Sequence, residues 1–149
     1  INEDFDTGDV TMMAWVKPTG STSDWVFNKF YSKANGWGLK ANSDSMQIYD
    51  DIGGVDRTYY STSVDSSWHH VAIALDDSEN LMYIDGEQVG SGKTSNSDFS
   101  SFGGDLFIGQ RGTGGAYFNG QIDDVRIYPQ ALSQEQVKAV KNNGAVGIG

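Results

Sequence analysis

Residues 118–128, Phe-Asn-Gly-Gln-Ile-Asp-Asp-Val-Arg-Ile-Tyr (FNGQIDDVRIY), lead through Pro129 and Gln130 into the helix-like run ALSQEQVKAV. Side chains of an extended chain alternate between faces. Strict alternation puts Asp123, Val125 and Ile127 on one side and Asp124, Arg126 and Tyr128 on the other. The Asp123 carboxylate is thus expected in phase with the core. An ionised group there is costly to bury unless it is hydrogen-bonded, ion-paired or metal-bound, so the strand is expected to bring it a partner. Asp124 and Arg126, two apart on the opposite face, read as a local ion pair.

Upstream, Val10–Lys17 (VTMMAWVK) is apolar on nearly both faces, as expected of a central strand packed between layers. Trp25–Phe30 and Trp37–Ala41 read as a hairpin around SKANG, and Met46–Tyr49 and Arg57–Ser61 as further strands flanking the loop DDIGGVD. Trp68–Leu75 (WHHVAIAL) is a buried strand, with Val71, Ile73 and Leu75 on one face and Ala72 and Ala74 on the other. Leu81–Ile84 and Glu87–Val89 form a hairpin over Asp85-Gly86, a type I′ turn in which both central residues need positive φ. Leu106–Gly109 is a short strand. Ser133 caps a helix, with Gln136 completing a capping box and Leu132 stapling against Val137. Roughly ten strands with turn signals every 8 to 12 residues, and one short C-terminal helix, predict an all-β antiparallel jelly-roll sandwich of two sheets.

The chain has 149 residues, 38% hydrophobic and 12% aromatic, with 19 Gly and two Pro. That fits one globular domain over 1–149 with a single core. Without cysteine, neither a disulfide nor a thiolate metal site is possible. The net charge of −10 and the lack of any basic cluster disfavour nucleic acid and anionic membranes as partners. No apolar run approaches the roughly 20 residues of a membrane helix. Only Glu3, Glu79, Glu87 and Glu135 are glutamates, so sixteen of the twenty acids are Asp, a bias that suits turns, calcium sites or simply an acidic surface.

The phrases WHHVAIAL, YIDGEQV, LFIG and FNGQIDDVRIY-PQ-ALSQEQV, in that order, resemble the laminin G-like branch of the concanavalin A-like lectin and glucanase superfamily. VTMMAWVKP resembles that family's early strand. The resemblance spans Val10 to about Val140 and implies a non-catalytic recognition module for carbohydrate or protein, in an extracellular, cell-surface or virion protein. The family opens with a further strand that this chain lacks before Val10. The chain, which starts at Ile1, is expected to be part of a longer polypeptide: either that strand was cut away, or the tail from Ala145 to Gly149 fills its slot, or a neighbouring chain supplies it at the open sheet edge. By the same resemblance, Asp123 anchors a structural calcium site with Glu3, Asp4 or Asp6; the competing role for Asp123 is to accept backbone N–H bonds at the sandwich rim.

Catalysis finds little support in the residues. Retaining glucanases of this superfamily place two carboxylates about 5 to 5.5 Å apart through an E-x-D-x-E strand, and no glutamate here lies in such a pattern. The pairs Asp50-Asp51, Asp76-Asp77 and Asp123-Asp124 are strand or turn neighbours that diverge. His69 and His70 diverge likewise and read as structural. For sugar binding, rings that offer a flat apolar face stack on a pyranose while amides, carboxylates and guanidinium groups take its hydroxyls. Trp25, Tyr31 and Trp37 surround one hairpin. The expected ligand-binding residues are Asp50, Asp51, Arg57, Tyr59, Tyr60, Arg111 and Tyr117, whereas Trp15 and Trp68 are assigned to packing. The alternative is a structural or adhesive domain, such as a particle decoration or fibre component, that docks onto another protein chain and has no sugar site.

Overall fold

The computed structural model describes residues 9–32, 35–52, 55–76, 79–94, 105–111 and 116–143, without the side chains of 30–32, 35, 50–52, 55–61 and 91–94. Ten strands and one helix follow in order: β1 (Val10–Pro18), β2 (Asp24–Ser32), β3 (Asn35–Ala41), β4 (Ser45–Ile52), β5 (Val55–Ser63), β6 (His69–Leu75), β7 (Glu79–Ile84), β8 (Glu87–Thr94), β9 (Leu106–Ile108), β10 (Gly120–Tyr128) and α1 (Gln134–Asn143). They form two five-stranded antiparallel sheets, β10-β1-β6-β7-β8 and β5-β4-β3-β2-β9, stacked as a jelly-roll sandwich. Glu3, Asp4, Asp6 and the tail from Ala145 to Gly149 lie outside the described residues.

The period-two pattern of the central strands assigns each side chain to a layer. Val10, Met12, Ala14 and Val16 of β1 and Val71, Ile73 and Leu75 of β6 meet Val26, Phe27, Trp37, Leu39, Met46 and Ile48 of the other sheet in the main core. The opposite face of β1 and β6 is apolar as well. Met13, Ala72 and Ala74 sit there beneath Leu132, Val137 and Val140 of the helical segment, which is why β1 alternates between two apolar surfaces rather than between apolar and polar.

The local signals fold as the residues predict. Asp85 and Gly86 have φ of 52° and 83°, as a type I′ turn requires. The Gln136 side chain accepts from the Ser133 N–H at 2.9 Å while the Ser133 hydroxyl accepts from the Gln136 N–H at 3.2 Å, a closed capping box. Leu132 and Val137, the staple pair, are both buried.

The expected inward carboxylate is overturned. On β10, Met13 pairs with Arg126 but Trp15 pairs with Asp123, so Asp124 and Val125 together oppose Ala14. This is a β-bulge, and Asp124 occupies the left-handed region at φ 50°. One extra residue reverses the phase. Ile122, Val125 and Ile127 therefore share the core face, while Asp123 moves to the outward face opposite Trp15 and is exposed, one of its oxygens accepting the Asp124 N–H at 2.8 Å. Arg126 reaches back to Asp124 with Nε 3.0 Å from its carboxylate, the expected ion pair.

Candidate functional site

On the second sheet, Trp25 of β2 lies opposite Lys40 of β3, and Tyr49 of β4 lies opposite Gly38 of β3. Gly38 has no side chain to separate them. Trp25 crosses above it and meets Tyr49 edge to face, ring centroids 5.2 Å apart, an arrangement favoured by the ring quadrupoles. The ammonium of Lys40 sits 4.6 Å from both ring centroids, within cation–π range. These side chains face away from the main core, yet Trp25 is 4% exposed, so the group is a rigid packed unit.

The described residues between β9 and β10, 109–111 and 116–119, are fastened beside this unit. Asn28 of β2, fully buried, donates from Nδ2 to the Gln110 carbonyl at 2.6 Å. The Gly109 N–H bonds the Val26 carbonyl, the Phe118 N–H bonds the Gly109 carbonyl, and Tyr117 bridges in parallel to Trp25. The backbone of Tyr117 is thus firmly held, while the residue itself is 65% exposed. Arg111, also exposed, belongs to the same segment.

The other predicted ligand residues fall on the β4–β5 hairpin. Backbone register pairs Asp50 with Arg57, Asp51 with Asp56 and Ile48 with Tyr60, and Tyr59 occupies the irregularity between Ile48 and Tyr49. Their side chains are outside the description. β5 and β9 form opposite edges of this sheet, about 19 Å apart at four strand spacings. The predicted residues are therefore spread in two groups across one sheet, with the Trp25–Lys40–Tyr49 unit between them. Lys40, Asn28 and Gly38 escaped the sequence reading; the hairpin register, which puts Lys40 opposite Trp25, was the available signal.

Two tryptophans exchange roles with expectation. Trp37 is core at 3% exposure, whereas Trp68, assigned to packing, precedes β6 and is 40% exposed. Tyr31 has no described side chain. Trp15 is half-buried on the outward face of the first sheet, edge to face with His70 at 5.3 Å.

The histidines do diverge. His70 is buried, and desolvation lowers its pKa to about 4, so it folds as a neutral imidazole. Neutral His70 contributes stability that is fully present above the unfolded value near 6.5 and is lost as pH falls toward 4. The melting temperature is expected to drop over that interval, and His70→Gln to flatten the drop; an unaltered slope in the variant would contradict the assignment. His69 lies 2.8 Å from both Asp65 and Asp85. Ser67, Asp85 and His69 superficially suggest a hydrolytic triad. However, Asp65 takes both the Ser67 hydroxyl and His69 Nε2, which stands 3.5 Å from that hydroxyl, so no base is directed at a nucleophile. Among the described residues, no three His, Cys, Asp or Glu side chains converge on an ion-sized position, and Asp123 by itself falls short of the six to eight oxygens calcium takes.

A family model described as "Concanavalin A-like lectin/glucanases superfamily" matches residues 2–138. Adhesion G-protein coupled receptor V1 of Danio rerio is 28% identical, the match covering 91% of this chain and 2% of that far longer protein. Among solved structures, the heptameric SAP-like pentraxin of Limulus polyphemus superposes with a TM-score of 0.71 at 19% identity, over 91% of this chain and 70% of that one. Domain 4 of AbnA, a GH43 extracellular arabinanase of Geobacillus stearothermophilus solved with arabinotriose, gives 0.72 at 23% identity, over 90% of this chain and 66% of that one. A Trypanosoma rangeli sialidase mutant with trans-sialidase activity gives 0.67 at 16%, over 91% of this chain and 23% of that one. These structural likenesses are likenesses of fold.

Proposed function

This chain belongs to the concanavalin A-like lectin/glucanases superfamily, and from that premise we propose that it is a non-catalytic recognition module binding glycan across the outward face of its second sheet. The observation that carries the reading is Tyr117, exposed yet fixed beside the Trp25–Lys40–Tyr49 unit. With its backbone already held, only side-chain rotation remains to be fixed when a pyranose stacks on the Tyr117 ring. Arg111 would supply hydrogen bonds at the same edge, and Asp51 and Tyr59 at the opposite edge, which favours an extended oligosaccharide over a single sugar; Asp50, Arg57 and Tyr60 are in register with the core positions Trp37 and Ile48 and are left out of this surface. Support for an oligosaccharide also comes from the fold shared with an arabinanase domain solved with arabinotriose. The adhesion-receptor relative supports an extracellular or cell-surface setting.

A glycan array probed with the isolated domain, arabinotriose included, tests the reading. Tyr117→Ala is expected to weaken binding about tenfold, roughly 1.4 kcal/mol, with a smaller loss for Tyr59→Ala. Binding unaffected by both would refute this surface. No binding to any glycan would favour the second reading, an adhesive domain that docks onto another protein chain, which the adhesion-receptor relative also supports. A structural calcium ion on Asp123 with Glu3, Asp4 or Asp6 is part of the proposal as well. It requires EDTA to lower the melting temperature, and an unchanged value would remove the ion.

A further inference from the structure

One imidazole joins two turns at the same end of the sandwich. Nδ1 of His69 is 2.8 Å from Asp85 in the β7–β8 turn, and Nε2 is 2.8 Å from Asp65 in the turn that leads into β6. A neutral imidazole has one N–H, an imidazolium two. Both contacts are satisfied together only by the cation. We propose that His69 is a proton-operated clamp between these two turns, and that loss of its second proton releases the turn that carries Trp68.

The two arms are unequal, which decides where the clamp opens. Asp85 is bound to β6 independently of the ring: its other oxygen accepts the His70 N–H at 2.9 Å, and its own N–H donates to the His70 carbonyl at 2.7 Å. Asp65 sits on the exposed turn, its side chain 76% exposed against 43% for Asp85. Its further partners, the N–H and hydroxyl of Ser67, belong to that same turn. After deprotonation the remaining N–H stays with Asp85, and the bare lone pair of Nε2 faces the Asp65 carboxylate. Attraction becomes repulsion, and the Asp65–Trp68 turn loses its tie to the hairpin.

Among the described residues packed against His69, no other charge opposes this. The β1 neighbour of His69 is Val16, which is uncharged. On the β7–β8 hairpin, Glu87 is engaged by Lys138 at 2.8 Å, and His70 is neutral on the opposite face. Burial disfavours the imidazolium, but the hydrogen bonds to Asp85 and Asp65 outweigh it and raise the His69 pKa above its usual 6.5. Hydrogen bonds from Ser67 and then His69 hold Asp65 at about 2, so this carboxylate stays charged throughout. A raised folded pKa means the clamp is closed below about 6.5 and opens as pH climbs through the folded value.

The test follows the two imidazoles by NMR in the whole domain between about pH 5 and pH 9, with His69→Gln assigning the signals, and measures acrylamide quenching of tryptophan fluorescence alongside. Trp68→Phe isolates the Trp68 component by difference. His69 is expected to titrate above 6.5, and quenching of Trp68 to rise roughly twofold over the same interval as its exposure grows from 40%. Asp65→Asn should lower the His69 pKa and remove the coupled change while the fold persists. A His69 titrating at or below 6.5, or a Trp68 signal indifferent to that titration, overturns the clamp.

Discussion

Gly38→Ala is expected to destabilise the domain by about 3 kcal/mol, the upper end for overpacking a filled interior, and to lower its melting temperature by roughly 10 °C. A β-carbon at this position would stand 2.6 Å from the Phe27 carbonyl oxygen, 2.7 Å from Asn28 Cβ and 2.7 Å from Trp25 Cζ3. The first is backbone of the neighbouring strand and cannot rotate away. The other two are the residues that seat the aromatic unit and fasten the Gln110 carbonyl. The substitution should therefore also displace Trp25 and with it Tyr117, and glycan affinity should fall at temperatures where the variant is still folded. Differential scanning calorimetry, with binding measured well below the transition, separates the two effects. A melting temperature within a degree or two of the parent would show that β2 and β3 are not as close as described.

The second large effect is at Thr11. Its hydroxyl donates to the Gln130 carbonyl and accepts the Leu132 N–H, both at 2.8 Å, and Thr11 itself is fully buried. It fixes the connection from β10 to α1. Thr11→Val keeps the shape of the side chain but strands a buried N–H and loses a second bond, a cost of about 2 kcal/mol. Thr11→Ser retains the hydroxyl and should lose less. The valine variant should also accelerate amide hydrogen exchange in α1, whose Val137 and Val140 cover the outward face of β1 and β6. Equal stability of the two variants would mean that the hydroxyl is not what holds the helix.

Much of this architecture was written locally. WHHVAIAL alternates because Val71, Ile73 and Leu75 face one apolar layer and Ala72 and Ala74 another. Asp85-Gly86 and Ser133–Gln136 fold as their own backbone chemistry demands. The candidate site was less legible. Tyr117 and Arg111 could be named as loop residues, but a tyrosine becomes a platform only if something fixes it. Here the fixing groups, Asn28 and Trp25, lie on another strand some ninety residues earlier.

Hydrophobic periodicity and turn chemistry, both properties of neighbouring residues, determined from the sequence alone that the chain is an antiparallel sandwich closed by one capped helix. Only the tertiary structure decided where Asp123 points. Alternation counts faces correctly as long as each residue advances the strand by one pleat, and Asp124, held left-handed opposite Ala14, breaks that count. The same reason governs His69, Trp68 and Trp25: their exposure and charge depend on partners from other strands and turns, which no local pattern encodes.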